Sequence, residues 1–433
     1  MTLTDQEAPA AGPPPGGREP APNNPVRVGQ LLAALALVTV VFVALGWGYL
    51  LLFIAILVAI VMLHEFGHFV TAKRAGMKVT EYFVGFGPRL WSVRRGETEY
   101  GVKAIPAGGY VRIVGFTSTE DVPEQDEARA YRQQPFHQRI IVASAGSAMH
   151  FLIALVLALV LVLTFGKATN NYTIASLEHW PARQTPAAAA GLRPGDTIVS
   201  IDGKTFTNPD SMTDVIRKSV GTPLHLGVER DGRLIEVTAT PANGKDVTVD
   251  GQRLANRGYL GVEITRATAP VGLLAGLGDS FTTMWQVTDQ EVTGIAQTFS
   301  PHGVTSLYHQ VTNTQTAQSV AENPGSAPRP VSIVGIANLG AQSERAGLAA
   351  VLMLLIAINI VFGLLNMLPM IPLDGGHVAI AVYEWARTKK GEPYYRADIT
   401  KLFPVAALFV GLLALFVFAG IYLDITHPLQ LPH

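Results

Sequence analysis

The sequence predicts a polytopic α-helical membrane protein, and three observations lead to this fold class. Hydrophobic residues make up 48% of the 433 residues and charged residues only 15%, well below the roughly 25% of a soluble domain. The apolar residues are gathered in blocks long enough to span a bilayer. Lysine and arginine are concentrated between two of these blocks. The apolar blocks cover about 31–63, 140–165, 347–373 and 403–423.

The overall composition also excludes several classes of function. The net charge of −1 predicts no nucleic-acid partner, since such proteins usually carry a basic surface. The chain contains no cysteine, which excludes disulfides, thiolate metal sites and a cysteine nucleophile. Residues 1–28 are rich in proline, glycine and alanine and are predicted to be a disordered tail, because they cannot bury a core.

The first apolar block is too long for one upright membrane helix. As a single helix it would reach about 50 Å, against a hydrocarbon core of about 30 Å. Gly46-Trp47-Gly48 offers a break, so the sequence favours two spans at about 29–46 and 49–70. One of them would be an extra N-terminal helix beside four core spans. A single tilted and kinked helix is the alternative.

The distribution of cations predicts the orientation in the membrane. Many lysines and arginines lie in 71–139, and a smaller group lies in 385–401. The positive-inside rule places both segments in the cytoplasm. The long polar region 166–345 and the C-terminus would then lie outside, in a multi-pass protein of the plasma or inner membrane.

The stretch VMLHEFGHFV, residues 61–70, places two histidines and a glutamate within the first apolar block. Ionisable side chains at membrane depth are costly and usually mark a functional site. His64 and His68 are four residues apart, so they share one helix face and could bind one Zn²⁺. Glu65 would then act as general base on the metal's water. Two core histidines with satisfied hydrogen bonds are the alternative.

A catalytic zinc usually has three protein ligands and one open position, so a third ligand is expected. Asp374, in NMLPMIPLDGGH, is the only carboxylate between Gly347 and Ala381. Under the predicted orientation, HExxH and Asp374 both lie near the cytoplasmic ends of their spans. The prolines and glycines around Asp374 would break a helix, which is tolerated beside a watery cavity. A Pro-Gly segment that simply ends a span is the alternative.

HEFGH and NMLPMIPLDGG, on separate spans that flank an extracytoplasmic region, resemble the site-2 protease family of intramembrane zinc metalloproteases. The resemblance extends through residues 46–423 and includes PVSIVG before the third core span. It implies that His64, His68 and Asp374 bind the zinc ion and that Glu65 is the general base. Asn366, in the family's Asn-x-x-Pro element, would hold substrate or polarise the scissile carbonyl.

Two further segments are similar to the family's cytoplasmic, membrane-re-entrant β-hairpin, namely VGFGPRLW (84–91) and VKAIPAGGYVRIVG (102–115). We expect the free edge of this hairpin to pair with an unwound substrate through backbone hydrogen bonds. Gly108 and Gly109 would permit the close approach, and Tyr110 follows them in the predicted substrate-binding set. An ordinary cytoplasmic hairpin is the alternative.

The chain is most similar to bacterial family members that cut membrane-anchored anti-sigma factors after a first protease has trimmed the outer domain. The resemblance therefore implies three partners: a single-span, anti-sigma-factor-like substrate, an upstream site-1-type protease and the lipid bilayer. One departure from the family occurs in AGSAMH, residues 145–150, where the family often has Ala-Gly-Pro-x-x-Asn. His150 could line the site, act as an alternative ligand, or be a drifted packing residue.

The extracytoplasmic region resembles a PDZ domain over residues 170–266. PAAAAGLRPGDTIVSIDGKTF (186–206) contains the signature, and a helix at 210–219 and strands around 223–240 are predicted to follow. GYLGVEI (258–264) is similar to the peptide-carboxylate loop. Its late position implies a circularly permuted domain. The residues predicted to face the peptide groove are Tyr259, Leu260, Gly261 and Val262.

The purpose of this PDZ-like domain stays open between two interpretations. It could bind a chain end by strand addition, or it could only exclude bulky substrates by size. The stretch 271–300 mixes apolar and polar positions and is predicted to be an amphipathic helix along the outer membrane surface.

The predicted function is regulated intramembrane proteolysis: hydrolysis of a peptide bond within or near a transmembrane segment of a previously trimmed protein. A non-catalytic membrane PDZ scaffold with structural metal is the alternative. A metal transporter is a second rival. A scaffold would have no need of Glu65 beside His64, and a transporter would be expected to carry polar residues along its spans.

Overall fold

The computed structural model describes residues 25–45, 48–117, 120–180, 183–206, 209–249, 252–253, 255–389 and 395–430. Most of the predicted N-terminal tail lies outside these residues. However, residues 25–28 belong to the first helix, so the predicted boundary at 28 is too late. The chain divides into two compact units, one formed by residues 159–280 and the other by the remaining residues.

The helices and strands are as follows. The helices are α1 (Pro25–Ala44), α2 (Gly48–Arg74), α3 (Glu124–Glu127), α4 (Phe136–Phe165), α5 (Pro186–Ala189), α6 (Pro209–Lys218), α7 (Leu273–Thr298), α8 (Pro301–Thr312), α9 (Thr314–Glu322), α10 (Ile333–Ala346), α11 (Leu348–Asn366), α12 (Asp374–Arg387) and α13 (Phe403–Thr426). The strands are β1 (Val79–Arg95), β2 (Thr98–Ile113), β3 (Lys167–Leu177), β4 (Thr197–Ile201), β5 (Leu224–Arg230), β6 (Arg233–Ala239), β7 (Ala242–Asn243), β8 (Thr248–Val249), β9 (Gln252–Arg253), β10 (Gly258–Tyr259) and β11 (Val262–Ala269).

Four helices within the described part of the chain are long and apolar enough to cross a membrane: Leu50–Arg74, Phe136–Phe165, Leu348–Asn366 and Ile399–Thr426. They match the four predicted core spans. The N-terminal apolar block forms two separate helices, since α1 ends at Ala44 and α2 begins at Gly48. The structure therefore favours the two-helix interpretation over one kinked helix, and α1 contributes a shorter apolar stretch, Ala33–Ala44.

Strands β1 and β2 are long, and each contributes two segments to one small sheet. Residues 79–84 of β1 lie between two parts of β2, because they pair with both 99–102 and 109–113. The distal part of β1, 89–95, pairs with 98–103. The segment 109–113 is therefore at one edge of the sheet. This arrangement is more elaborate than the simple hairpin that the sequence predicts.

The sheet is attached to the membrane helices through a shared core. Buried Met77, two residues before β1, and Val79, its first residue, pack with Ala72 of α2 and with Val142 of α4. The hydroxyl of Tyr82 donates a 2.8 Å hydrogen bond to the carbonyl oxygen of Met62 on α2. The edge segment 109–113 is thus held beside the helix that carries HExxH.

The second unit contains a five-stranded antiparallel sheet with strand order β11–β3–β4–β5–β6. Helix α6 lies where the sequence predicts a helix, and its Met212 joins the buried core with Ile174, Ile198 and Leu226. Asp196 of the Pro-Gly-Asp turn is 1% exposed and accepts two hydrogen bonds from Arg230 at 2.7 and 2.6 Å. This ion pair holds the turn to the end of β5.

Candidate metal centre

The three predicted ligands lie close together in the structure, although they belong to two helices that are far apart in the chain. Helix α2 presents His64 and His68 one turn apart, and Asp374 is the first residue of α12. Oδ2 of Asp374 lies 3.2 Å from Nε2 of His68 and 3.4 Å from Nε2 of His64. The two Nε2 atoms are 3.3 Å apart. All three ligand atoms lie within 4.8 Å of one another, an arrangement that could hold a metal ion.

The position of the proton on His68 fits a cation at this point. Nδ1 of His68 lies 2.7 Å from the carbonyl oxygen of Val142. Since a carbonyl only accepts, Nδ1 carries the proton and Nε2 presents a lone pair. Such a backbone partner fixes the ring of a metal-ligating histidine. With Nε2 of His64 and the carboxylate of Asp374 beside it, the cluster offers a set of ligand atoms suited to Zn²⁺.

Gly146 on α4 leaves the space that an ion would need. A Cβ at this position would overlap Nε2 of His64 and Nε2 of His68. Any larger residue would therefore displace both rings or fill the site. Gly146 belongs to the AGSAMH segment, so the close approach of α4 to α2 is part of the metal centre.

A break between α11 and α12 precedes Asp374, which joins the cluster as the first residue of α12. Helix α11 ends at Asn366 and α12 begins at Asp374, so the expected break contains Pro369 and Pro372, whereas Gly375 and Gly376 lie in the first turn of α12. A Cβ on Gly375 would overlap the backbone of Met367, which explains the need for glycine after the aspartate. Asn366 is half-buried at the end of α11, and its predicted role toward substrate stays a prediction.

Glu65 lies between the metal cluster and the edge of the small sheet. Its Oε2 accepts a 3.0 Å hydrogen bond from the backbone N–H of Val111, in the edge segment 109–113. A backbone donor orients the carboxylate and needs no particular side chain. Nothing in the sequence pattern identified Val111 as a partner of Glu65.

The other predicted hairpin residues have structural partners. A Cβ on Gly109 would overlap Sδ of Met62. The lack of a side chain at this position therefore allows helix α2 to pack closely against the sheet. Gly108 has a φ of +133°, a conformation that favours glycine. The hydroxyl of Tyr110 donates to Glu81, and its ring stacks on Phe83 with centroids 5.8 Å apart. Their contacts with substrate stay predictions.

Sequence reasoning missed Asn359, which is fully buried in α11 and contacts His150 on α4. The sequence does contain a signal for this residue, because Asn359 is the one polar side chain between Ala350 and Leu365. A lone amide at membrane depth needs a partner in the protein interior. His150 itself packs against the metal cluster, with its ring centroid 4.9 Å from that of His64.

A buried ion pair connects α4 to the helix that begins with Asp374. Nη1 of Arg139 lies 2.6 Å from Oε2 of Glu384, and each side chain is 4% exposed. Both residues line a cavity of about 300 Å³, together with Phe116 and His377. The ring of Phe116 lies 6.3 Å from the ring of His68, so this cavity approaches the metal centre.

In the second unit, the predicted groove residues differ in exposure. Leu260 is 2% exposed and belongs to the core, so its side chain does not face a groove as predicted. The carbonyls of Leu260 and Gly261 accept hydrogen bonds from the N–H groups of Ala187 and Glu178. Tyr259 is half-buried, and its hydroxyl accepts from Arg257 at 2.7 Å. Val262 begins β11, an edge strand of the sheet.

Comparison with known proteins gives matches over most of the chain. The family model described as peptidase family M50 matches residues 52–411. The zinc metalloprotease Rip1 of Mycobacterium tuberculosis is 32% identical over 412 residues, which cover 89% of this chain and 98% of that protein. Rip1 of Mycolicibacterium smegmatis is 31% identical, with 89% and 99% covered. The metalloprotease MmpA of Caulobacter vibrioides is 27% identical, with 78% and 87% covered.

Proposed function

Since this chain belongs to peptidase family M50, we propose that it is a zinc metalloendopeptidase that cleaves its substrate within the membrane. The peptide bond lies in or near a transmembrane segment of a previously trimmed membrane protein. The observation that carries this proposal is the cluster of His64, His68 and Asp374, with Glu65 beside it, among helices apolar enough to cross a membrane.

His64, His68 and Asp374 would hold a zinc ion and leave one position for water or the scissile carbonyl. When bound there, zinc lowers the pKa of the attacking water toward neutrality and polarises the carbonyl. The contact of His68 with the Val142 carbonyl keeps its ring in the ligating orientation. Gly146 keeps the space beside both histidine nitrogens open.

Glu65 is proposed to move the proton. Its carboxylate takes a proton from the attacking water as the oxygen forms a bond with the scissile carbon. The carbon–nitrogen bond then breaks, and Glu65 delivers the proton to the leaving amine. The hydrogen bond from Val111 holds one carboxylate oxygen, so the other remains to accept the proton.

The edge segment 109–113 is proposed to hold the substrate. A transmembrane helix hides its peptide bonds, so it must unwind locally before cleavage. An unwound strand can add to a sheet edge through backbone hydrogen bonds that read no sequence. Gly108, Gly109 and Tyr110 lie in or beside this edge, and Asn366 would contact the substrate from the end of α11. The N–H of Val111 brings the edge within hydrogen-bond distance of Glu65.

The second unit is proposed to be a circularly permuted PDZ domain outside the cytoplasm, with the metal centre nearer the cytoplasmic side. The positive-inside pattern supports this orientation. The edge position of β11, just after Tyr259–Gly261, supports peptide binding by strand addition. Exclusion of bulky substrates by size remains the alternative. Binding of C-terminal peptides to the full-length protein in nanodiscs separates the two, since no binding at millimolar peptide would contradict the groove.

The proposed substrate is a single-span membrane protein of the anti-sigma-factor type, after an upstream protease has removed its outer domain. A tagged single-span protein with a truncated outer domain tests the activity in proteoliposomes. We expect wild type to cleave it and Glu65→Gln to be inactive, with about one zinc ion per chain in both. His68→Ala should lose both zinc and cleavage.

Three results would contradict the proposal or a part of it. If zinc-loaded wild type and Glu65→Gln both leave every trimmed substrate intact, the scaffold alternative gains support. If wild type carries zinc across the proteoliposome membrane without cleavage, the metal centre serves transport. Equal cleavage by wild type and Glu65→Gln would remove Glu65 from its role as base.

A further inference from the structure

His150 occupies a place beside the metal centre that the ligand set does not explain. It is 2% exposed, and its ring centroid lies 4.9 Å from that of His64. The three-residue ligand cluster among the described residues does not include it. Gly363 of α11 allows the close approach, because a Cβ there would lie 3.3 Å from Cβ of His150.

Asn359 determines which nitrogen of His150 carries the proton. Nδ2 of Asn359 donates a 2.8 Å hydrogen bond to the carbonyl oxygen of Leu355. The amide oxygen therefore faces His150, and it lies 3.1 Å from Nδ1. The reverse orientation of the amide would set its oxygen against the Leu355 carbonyl, with no proton between them. Nδ1 of His150 is thus the donor, and a neutral ring presents Nε2 as an acceptor.

His150 lies further from the charged end of α4 than Gly146, the residue that approaches the ligands. Helix α2 ends in Lys73 and Arg74 and α4 begins near Arg139, so the metal centre lies toward the charged ends of both helices. Gly146 contacts both ligand histidines, and His150 is one turn further from Arg139. At 1.5 Å per residue, this turn places the Cα atom of His150 about 6 Å beyond that of Gly146 along the helix axis.

We propose that Nε2 of His150 accepts a backbone N–H of the unwound substrate on the bilayer-centre side of the scissile bond. This inference rests on the proposed function. A substrate strand among these apolar helices exposes peptide N–H groups to hydrocarbon, where no water is present to accept their hydrogen bonds. The side chain acts as a substrate-positioning residue, and Asn359 acts through it by fixing the tautomer.

Substitution of one substrate atom tests the contact directly. A synthetic single-span peptide is prepared as a set in which one amide after another near the cleavage site becomes an ester, which removes one N–H. Each peptide is cleaved by wild type and by His150→Phe, which has no acceptor nitrogen. At one position we expect the ester to reduce kcat/KM of wild type by about three- to tenfold, the effect of one hydrogen bond. The same ester should not reduce the already lowered kcat/KM of His150→Phe.

The tautomer provides a readout that is independent of activity. In histidine-labelled, metal-free protein, the ¹⁵N shifts of His150 should report a proton on Nδ1. Asn359→Asp keeps an acceptor and should preserve the pattern, whereas Asn359→Leu should shift it toward Nε2–H and lower kcat/KM toward that of His150→Phe. Zinc content should stay unchanged in all these variants, because His150 is outside the ligand set.

The outcomes separate this inference from the proposed function. If wild type leaves the all-amide peptide intact, the proposed function fails. If wild type cleaves it but every ester affects wild type and His150→Phe equally, the contact with His150 is absent. Loss of zinc in His150→Phe, with zinc retained in Asn359→Leu, would make His150 a ligand and also overturn the inference. If His150→Phe fails to fold, the ester series is cleaved by Asn359→Asp and Asn359→Leu instead. The ester that reduces kcat/KM of wild type should then reduce that of Asn359→Asp but not that of Asn359→Leu.

Discussion

The carboxylate of Glu65 and the backbone N–H of Val111 are joined by a 3.0 Å hydrogen bond. This bond links the proposed general base on α2 to the edge segment 109–113 of the small sheet. It means that whatever pairs with this edge also lies beside the base. Under the proposed mechanism, this backbone donor would couple proton transfer to substrate presentation, and the contact does not involve the Val111 side chain.

Val111→Pro removes the donor and keeps an apolar side chain. We expect cleavage to fall by about tenfold or more, since a hydrogen bond to a charged group contributes about 1.5–3 kcal/mol. Proline is tolerated at sheet edges where the N–H points away from the sheet. Zinc content should stay at the wild-type level, because Val111 is not a ligand. Cleavage rate and zinc content are measured on the same preparation.

Val111→Ala is the matched control, because it shortens the side chain and keeps the N–H. It should retain most of the activity. Equal activity of Val111→Pro and wild type would show that the hydrogen bond has no part in catalysis. Equal loss in both variants would instead assign the effect to the side chain.

Gly146→Ala tests the space beside the metal ligands. Its Cβ would overlap Nε2 of both His64 and His68, so the rings must move or the ion is excluded. We expect substoichiometric zinc and a loss of cleavage of about 10²-fold, the usual effect of a 1 Å displacement at a catalytic site. Gly411→Ala in α13 is the control, since its Cβ would meet open space. Normal zinc binding by Gly146→Ala would contradict the proposed location of the ion.

The short-range parts of the metal centre could be predicted from sequence, because helix geometry brings His64 and His68 onto one face. Asp374 followed from being a lone carboxylate in an apolar stretch. The partners that orient these groups could not be predicted. Val111 is 46 residues from Glu65, and Asn359 is 209 residues from His150. These contacts depend on how helices and the sheet pack, which no local pattern encodes.

In the fold, too, local features could be predicted from sequence and long-range contacts could not. Apolar blocks predicted the four long helices, since length and hydropathy are properties of a segment. The double pairing of residues 79–84 was missed, because register depends on which edges meet. The buried state of Leu260 was also missed. A short Gly-Tyr-Leu-Gly loop does not reveal which of its side chains enters the core.

The buried ion pair of Arg139 and Glu384 should strongly affect stability when one partner is removed. Glu384→Leu leaves the buried cation of Arg139 without its carboxylate partner, which costs about 3–5 kcal/mol. Asp374 begins the helix that contains Glu384, so cleavage should fall as well. The double variant Arg139→Met/Glu384→Leu removes both charges and should recover most of the stability. Thermal unfolding in detergent measures all three proteins, and additive effects in the double variant would contradict the coupling.

The pKa of Glu97 predicts a pH-dependent contribution to stability. Its carboxylate, in the turn between β1 and β2, accepts hydrogen bonds from Arg129 at 2.7 and 2.9 Å and from Lys73 at 2.7 Å. The Arg129 bonds, with Lys73 adding to them, lower the pKa of Glu97 from 4.5 to about 2. Because the folded state lowers this pKa, the stabilisation is present above pH 4.5 and is lost as the pH falls toward 2.

Glu97→Gln should therefore be less stable than wild type at neutral pH, by about 1 kcal/mol for such a partly exposed network. The difference should shrink through the window from pH 4.5 to 2, where wild type takes up the proton that glutamine does not need. Glu124→Gln, at an exposed position of α3, is the control and should follow wild type. Thermal unfolding in detergent at a series of pH values measures the difference, and a gap that stays constant down to pH 3 would assign it to packing instead of charge.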